Sequence, residues 1–166
     1  MIKLFYMLAF LFGTLGTLSA QMVMFKGSFD EALKKAREEK KDLFVDFYAD
    51  WCGPCKAMAM RIFTLPEVGD YFNARFVCVQ VNVEAKENSE VAKKYDVKVL
   101  PTMVFVSREG KELRRAQGAM EAATLLKEAK IAIGEELSFM QLYDKFKKKK
   151  NDLNMHQQLL LDAPLF

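Results

Sequence analysis

Residues 43–56 read LFVDFYADWCGPCK, and this stretch decides the fold. Its first seven residues are apolar apart from Asp46, which predicts a strand buried on both faces of a sheet that helices cover on each side. Cys52 and Cys55 follow, where this strand gives way to a helix predicted over 55–63. The stretch therefore places two thiols at the junction of a buried strand and a helix.

The spacing of the two cysteines points to thiol chemistry. Because only two residues separate them, Cys52 and Cys55 can close a redox-active disulfide without reorganising the backbone. Cys52 falls at the helix N-terminus, where free N–H groups and the helix dipole favour a thiolate, so we predict that it is the nucleophile. Cys55 lies one turn further in, is expected to be better buried, and is the predicted resolving thiol that breaks a mixed disulfide. Pro54 fits the first helical turn, and Trp51 gives the reactive sulfur an apolar rim.

Two other uses of these cysteines stay open on the residues alone. A zinc site needs about four ligands, and the chain offers Cys52, Cys55, Cys78 and His156, of which His156 lies far along the sequence. A purely structural disulfide is the second alternative, but so short a loop gains little chain entropy. We favour the redox interpretation, predict neither a metal nor a cofactor, and expect Cys78 to be a core residue in a strand.

The composition is that of a soluble domain with a full hydrophobic core. The chain has 166 residues, of which 51% are hydrophobic and 28% are charged, and this suits one compact domain with appendages. The net charge of +3 is too small and too evenly spread for nucleic-acid binding, so we predict no such partner. Three cysteines are too few for a disulfide scaffold.

The first twenty residues differ in character from the rest. Lys3 is followed by the apolar run 4–12 and then by small residues up to Ala20. This pattern predicts a secretory signal peptide over 1–20 that is cleaved near Ala20, leaving a main domain over 21–133. An uncleaved membrane anchor of marginal spanning length is the alternative. Either interpretation places the folded part outside the cytoplasm.

Hydrophobic periodicity and turn signals give the order of the elements. Strands are predicted at 22–25, 43–49, 76–83, 97–106 and 111–116. Helices are predicted from a Ser28 cap to 41, at 55–63, from Pro66 onward, at 89–95 with Ser89 as the cap, and at 120–133. The order βαβαβαββα predicts an α/β fold with a central mixed β-sheet flanked by helices.

Residues 134–166 are predicted to form a C-terminal helical extension. Ser138 and Gln141 have the spacing of a capping box, and an apolar stripe at helical spacing follows over 139–146. A second short helix over 153–161 would complete a hairpin that packs on the main domain.

The stretch from Phe44 to Lys56 closely resembles the active-site strand and turn of thioredoxins. Further along, residues 100–102 (LPT) resemble the cis-proline loop of that family, and residues 117–119 (QGA) resemble the segment that carries its substrate-loop glycine. The resemblance covers roughly 22–133 and implies the thioredoxin fold with thiol–disulfide exchange as its chemistry. The chain also looks like the compact thioredoxin-like domains attached to bacterial membrane electron-transfer systems.

The resemblance implies roles for residues outside the cysteine pair. Asp46 would be a buried acid beneath the cysteines that assists proton transfer at Cys55, and Gln80 stands where thioredoxins often carry a lysine. Burial without a cationic partner should raise the pKa of Asp46. Pro101 would be cis, so that the backbone of Leu100 pairs with an incoming substrate strand. A solvent-facing Asp46 and an ordinary strand-start proline are the alternatives.

Together with the leader, the resemblance implies an exported, periplasmic reductase of protein disulfides that a membrane electron donor re-reduces. The substrate would bind at Trp51, Gly53, Pro54, Leu100 and Gly118, and the protein would be a monomer. The Gly-Pro pair between the cysteines favours reduction, by family resemblance. A disulfide oxidase or isomerase of the same fold is the first alternative, and a non-catalytic interaction module is the second.

Overall fold

The computed structural model describes residues 21–148 together with Gln157 and Leu161. The predicted signal peptide, most of the predicted second helix of the extension, and His156 lie outside these residues. Within the described part of the chain, no helix is long and apolar enough to span a bilayer.

The helices and strands follow the predicted order, with some ends shifted. The strands are β1 (Met24–Phe25), β2 (Asp42–Tyr48), β3 (Phe76–Asn82), β4 (Thr102–Val106) and β5 (Glu112–Gln117). The helices are α1 (Phe29–Glu39), α2 (Gly53–Ala57), α3 (Pro66–Arg75), α4 (Ser89–Lys94), α5 (Ala122–Ala132) and α6 (Phe139–Lys148). Helix α2 continues into a π-helical turn, Met58–Ile62, and a 3₁₀ turn, Lys86–Asn88, precedes α4.

The sheet has the strand order β1-β3-β2-β4-β5. Strands β1, β3 and β2 run parallel, whereas β4 is antiparallel to β2 and β5 is antiparallel to β4. The predicted mixed sheet is therefore confirmed, with β2 at its centre. In this register Asp46 lies between Gln80 of β3 and Met103 of β4.

Strand β2 is apolar almost throughout because helices cover both faces of the sheet. Successive side chains of a strand point to opposite faces. Phe44 therefore joins an aromatic cluster covered by α3, α5 and the π-helical turn that continues α2. In this cluster its ring centroid lies 4.8 Å from that of Phe72 and 5.3 Å from that of Phe105. Val45 packs on the other face, which α1 and α4 cover. Asp46 follows Phe44 by two residues and so shares the face that α2 covers.

Two local predictions about helix starts have opposite outcomes. Ser28 caps α1 as predicted, because its Oγ accepts the Glu31 N–H at 3.3 Å and Glu31 Oε2 accepts the Ser28 N–H at 2.8 Å. The predicted Ser89 cap is wrong. Ser89 is the first residue of α4, and Asn88 occupies the cap position without a side-chain capping bond. The Asn88 amide instead donates to the Asn82 carbonyl at 3.0 Å, which fixes the turn after β3.

The strand predicted over 97–106 begins only at Thr102. The Leu100–Pro101 peptide bond is cis, and proline has no N–H to give to a strand ladder. The chain therefore runs as a loop up to Pro101 and enters β4 after it.

The start of the extension packs on α3. Glu135 accepts hydrogen bonds from the Tyr71 hydroxyl at 2.7 Å and from Arg75 Nε at 2.7 Å. The capping box predicted at Ser138 is present at the start of α6, and Leu142 of that helix is buried. The start of the extension is thus tied to the main domain by the two hydrogen bonds that Glu135 accepts from α3.

Candidate active site

The chain turns from β2 into α2 at the two cysteines, which form a disulfide with their Cα atoms 5.3 Å apart. Cys52 is the N-cap of α2, and its Sγ accepts the Cys55 N–H at 3.2 Å. Its carbonyl accepts the Lys56 N–H, also at 3.2 Å. Gly53 and Pro54 occupy the first turn, where a missing intrahelical donor costs little. The helix therefore starts two residues before the predicted position.

Burial does not distinguish the two cysteines in the oxidised protein. Cys52 is 2% exposed and Cys55 is 3% exposed, so the prediction that Cys55 is better buried is wrong for this state. Position separates them instead. Cys52 lies at the end of the helix between the exposed residues Trp51 and Gly53, whereas Cys55 lies inside the first turn.

Trp51 forms an exposed apolar rim beside the disulfide. Its side chain is 70% exposed, and its indole Nε1 donates to Glu84 Oε1 at 2.9 Å. The Glu84 backbone N–H donates in turn to Asn82 Oδ1 at 2.9 Å, so the loop that holds this carboxylate is itself fixed. Glu84 is not among the residues that the sequence predicts for the site. The available signal was that β2 and β3 are parallel neighbours, so the residues that follow them meet at one edge of the sheet.

The cis-proline loop lies against the cysteine pair. Leu100 packs against the buried cluster that contains Cys52 and Cys55, and the predicted cis bond before Pro101 is confirmed. Gly118 has a φ of +81°, a conformation that favours glycine, and its N–H donates to the Pro101 carbonyl at 2.8 Å. The structure thus brings the predicted loop and the predicted glycine together through one backbone hydrogen bond.

Asp46 is buried on the α2 face, with 1% of its surface exposed. Its Oδ2 accepts a hydrogen bond from Gln80 Nε2 at 3.0 Å, whereas its Oδ1 is buried and has no hydrogen-bond partner among the described residues. Burial in low-dielectric surroundings raises the pKa of Asp46 to about 6, and the hydrogen bond from Gln80 opposes part of that rise. The predicted buried acid with a raised pKa is therefore present, and a solvent-facing Asp46 is excluded.

A cleft of about 250 Å³ opens beside Cys55. Its walls include Tyr48 and Asp50 at the end of β2, Lys56 on α2 and Gln80 on β3. Because Gln80 also bonds Asp46, the cleft reaches from the resolving cysteine to the partner of the buried acid. Water that enters the cleft can approach Cys55 and Gln80.

Cys78 lies outside this arrangement. It is 2% exposed and unpaired in the middle of β3, and its apolar burial raises the thiol pKa. The prediction that Cys78 is a core residue is confirmed. Within residues 21–148, 157 and 161, no three side chains of His, Cys, Asp or Glu lie close enough together to hold a metal ion.

Comparison with known proteins places this site in a family. Residues 29–132 match the thioredoxin-like domain. The chain belongs to the thioredoxin-like family. Chloroplastic thioredoxin Y from Oryza sativa subsp. japonica is 34% identical over 106 residues, a match that spans 64% of this chain and 58% of that protein.

Solved structures give the same result. A candidate disulphide-isomerase from Bacteroides thetaiotaomicron is 41% identical with a TM-score of 0.63, and the match covers 70% of this chain and 98% of that one. The oxidised C-terminal domain of DsbD from Neisseria meningitidis is 28% identical with a TM-score of 0.53, covering 64% of this chain and 94% of that one. With its paired cysteines in this fold, the chain is a thioredoxin-like thiol–disulfide oxidoreductase.

Proposed function

We propose that this protein reduces protein disulfides outside the cytoplasm, with Cys52 as the nucleophile and Cys55 as the resolving thiol. The observation that carries the proposal is a cysteine pair at the start of α2 combined with Asp46, a buried carboxyl that keeps one oxygen without a partner. A disulfide that only stapled the fold would not need a buried acid with an unsatisfied oxygen nearby, because such a group destabilises the fold when it ionises.

The first step is attack by the Cys52 thiolate on one sulfur of the substrate disulfide. A bond forms between Cys52 and that sulfur, the substrate S–S bond breaks, and the second substrate sulfur leaves as a thiolate that takes a proton from water. Backbone N–H groups at the start of α2 favour the attacking thiolate, and the Cys55 N–H already donates to Cys52 Sγ.

The second step is resolution of the mixed disulfide. Cys55 gives its proton to Asp46 and attacks the Cys52 sulfur, so that the Cys52–Cys55 bond forms and the substrate leaves as a thiolate. The substrate has then gained two electrons and is released as a dithiol after protonation. A carboxyl with a pKa of about 6 is mostly ionised at neutral pH, and a base with a pKa near the working pH transfers protons efficiently.

The substrate chain is proposed to lie across the rim formed by Trp51, Gly53, Pro54, Leu100 and Gly118. Gly53 and Gly118 support this, because an added Cβ at either position would meet no atom of the other described residues within 4 Å, local chain neighbours aside. The surface there is open to an extended peptide, which can pair with the backbone of Leu100 as an added strand. Exposed Trp51 supplies an apolar contact beside the sulfurs.

The direction of transfer is proposed from how the thiolate is stabilised. Among the described residues, the hydrogen bond to Cys52 Sγ comes from a backbone N–H rather than from a basic side chain. A thiolate that is only modestly stabilised favours the reduced form less than a strongly stabilised thiolate does. The dithiol therefore gives up its electrons more readily. Re-reduction then requires a dithiol donor, and for an exported protein we propose that a membrane protein supplies it.

The measurement that decides the direction is the reduction potential of the Cys52–Cys55 pair, combined with thiol trapping in cells. We expect a potential near that of thioredoxin, about −270 mV, and a pair held largely as the dithiol in vivo. The likeness to a candidate disulphide-isomerase favours the second hypothesis, an isomerase or oxidase. A pair found oxidised in vivo, with a potential nearer about −120 mV, would establish that hypothesis instead.

Export and the role of the extension are separate proposals. The leader over 1–20 should direct the domain out of the cytoplasm, which fractionation of the full chain and N-terminal sequencing of the mature protein would test. Residues 134–166 are proposed to stabilise the main domain through the Glu135 contacts with Tyr71 and Arg75. Deletion of 135–166 should lower the melting temperature, and an unchanged melting curve would contradict this role.

A further inference from the structure

Gln80 is the residue that links the buried acid to the cleft. It faces Asp46 across the parallel β2–β3 pair, and its Nε2 donates to Asp46 Oδ2 at 3.0 Å. Its side chain also lines the cleft beside Cys55. Gln80 is half-buried, whereas Asp46 is almost completely enclosed, so Gln80 contacts both the buried acid and the cleft.

The amide of Gln80 constrains one carboxyl oxygen and leaves the other available. A side-chain carboxyl can rotate, and two unpaired oxygens in an apolar pocket would be interchangeable. The hydrogen bond to Oδ2 removes this symmetry, since Oδ1 is the oxygen that remains unpartnered. A primary amide is also neutral, so it donates to Oδ2 whether Asp46 is ionised or protonated.

We propose that Gln80 is a positioning residue for the resolution step: its amide holds Asp46 so that Oδ1 receives the proton from the Cys55 thiol, and it does so without adding a charge. This inference rests on the proposed role of Asp46. Among the described residues, the titratable groups that line the cleft are Cys55 and Lys56 on α2 and Tyr48 and Asp50 at the end of β2. Met103 of the neighbouring strand β4 is apolar.

The side chain at position 80 should therefore set the pKa of Asp46. This pKa is best measured in the oxidised protein. Neither Cys52 nor Cys55 titrates in that form, so the Asp46 carboxyl resonance, assigned by ¹³C NMR, can be followed without coupling to a thiol. Wild type should titrate near pH 6. Gln80→Met, which removes the donor, should raise the midpoint by about one pH unit. Gln80→Lys, which adds a cation, should lower it by about one to three pH units.

Resolution kinetics then test the link to the reaction. The rate at which Cys55 resolves a Cys52 mixed disulfide should fall at low pH, where Asp46 is protonated. The pH midpoint of this fall should be higher in Gln80→Met and lower in Gln80→Lys. In an Asp46→Asn background both shifts should vanish, because the acid that Gln80 positions is gone. Gln157→Met carries the same chemical change at an exposed position and should leave the profile unchanged.

The outcomes separate the two levels of the proposal. If the Gln80 variants shift neither the carboxyl midpoint nor the rate profile, or shift the profile equally in Asp46→Asn, the positioning role is wrong. If Asp46→Asn alone leaves the profile of resolution unchanged, the proposed proton acceptor is wrong, whatever Gln80 does. Because Gln80→Met and Gln80→Lys predict opposite directions, the loss of one variant to misfolding still leaves a decisive measurement with the other.

Discussion

The two cysteine environments of this protein differ in position rather than in burial. Cys52 and Cys55 are 2% and 3% exposed, and Cys78 is 2% exposed. The first two lie where β2 ends and α2 begins, with a backbone N–H on the Cys52 sulfur and an exposed rim beside it. Cys78 lies in the middle of β3, in the apolar cluster that contains Phe44.

This contrast shows what makes a buried sulfur reactive. Enclosure alone disfavours a thiolate, and in the Cys78 site it raises the thiol pKa. At the end of β2 the backbone itself supplies the compensation, because a helix terminus has N–H groups without intrahelical partners. The same sheet therefore holds two kinds of cysteine site. The thiol in the middle of a strand is inert, whereas the pair at the end of a strand is available for chemistry.

The largest test of the contrast exchanges the thiols one at a time. Cys52→Ser should lower disulfide reduction by at least about 10³-fold, because the proposed attacking thiolate is removed. Cys55→Ser should also stop turnover but should accumulate mixed disulfides with substrate proteins, which non-reducing electrophoresis and mass spectrometry would detect. Equal trapping by both variants would show that the order of the two thiols is wrong.

The second test concerns Asp46, the buried acid on the α2 face. Its pKa is raised from 3.8 to about 6, so the folded protein binds a proton more readily than the unfolded chain does. The contribution of Asp46 to stability is then fully present below the unfolded pKa of 3.8 and is lost as the pH rises through 6, with a total loss of roughly 3 kcal/mol.

Urea unfolding of the oxidised protein between pH 4 and pH 8 would measure this loss. The free energy of unfolding of Asp46→Asn, relative to wild type, should rise by roughly 3 kcal/mol across that range. Asp144→Asn changes an exposed acid on α6 and should follow the wild-type curve. Parallel curves for wild type and Asp46→Asn would mean that burial does not perturb this carboxyl.

The sequence predicted the parts of the site that depend on local pattern. The apolar run around Asp46 identifies a doubly covered strand because few other environments tolerate so continuous an apolar stretch. The cysteine spacing marks the helix start, and resemblance supplied the cis bond before Pro101. The neutral partner of Asp46 was also foreseen, since Gln80 stands where the family often has a cation.

The remaining features depend on contacts between distant segments. The π-helical turn at Met58–Ile62 has neither glycine nor proline to announce it, and Met58 Sδ accepts the Met120 N–H at 3.3 Å from a segment 62 residues away. Glu84 reaches Trp51 only because β2 and β3 are neighbours. The unpartnered oxygen of Asp46 likewise follows from the Gln80 geometry, which composition and periodicity do not contain.

The smallest expected effect on activity is that of replacing Cys78, which tests whether the core thiol is inert. Cys78→Ala should leave disulfide reduction unchanged, because the thiol lies in the core cluster and touches neither the cysteine pair nor the rim. It should lower the free energy of unfolding by about 1 kcal/mol, the cost of removing one buried atom from a packed core.

In the oxidised protein Cys78 is the free thiol, so alkylation followed by mass spectrometry reports on it alone. Labelling should be slower in the native protein than in urea by at least about 10³-fold, since the reagent must wait for the fold to open. Rapid labelling under native conditions, or a loss of activity in Cys78→Ala, would place Cys78 in the chemistry and remove the distinction between the two sites.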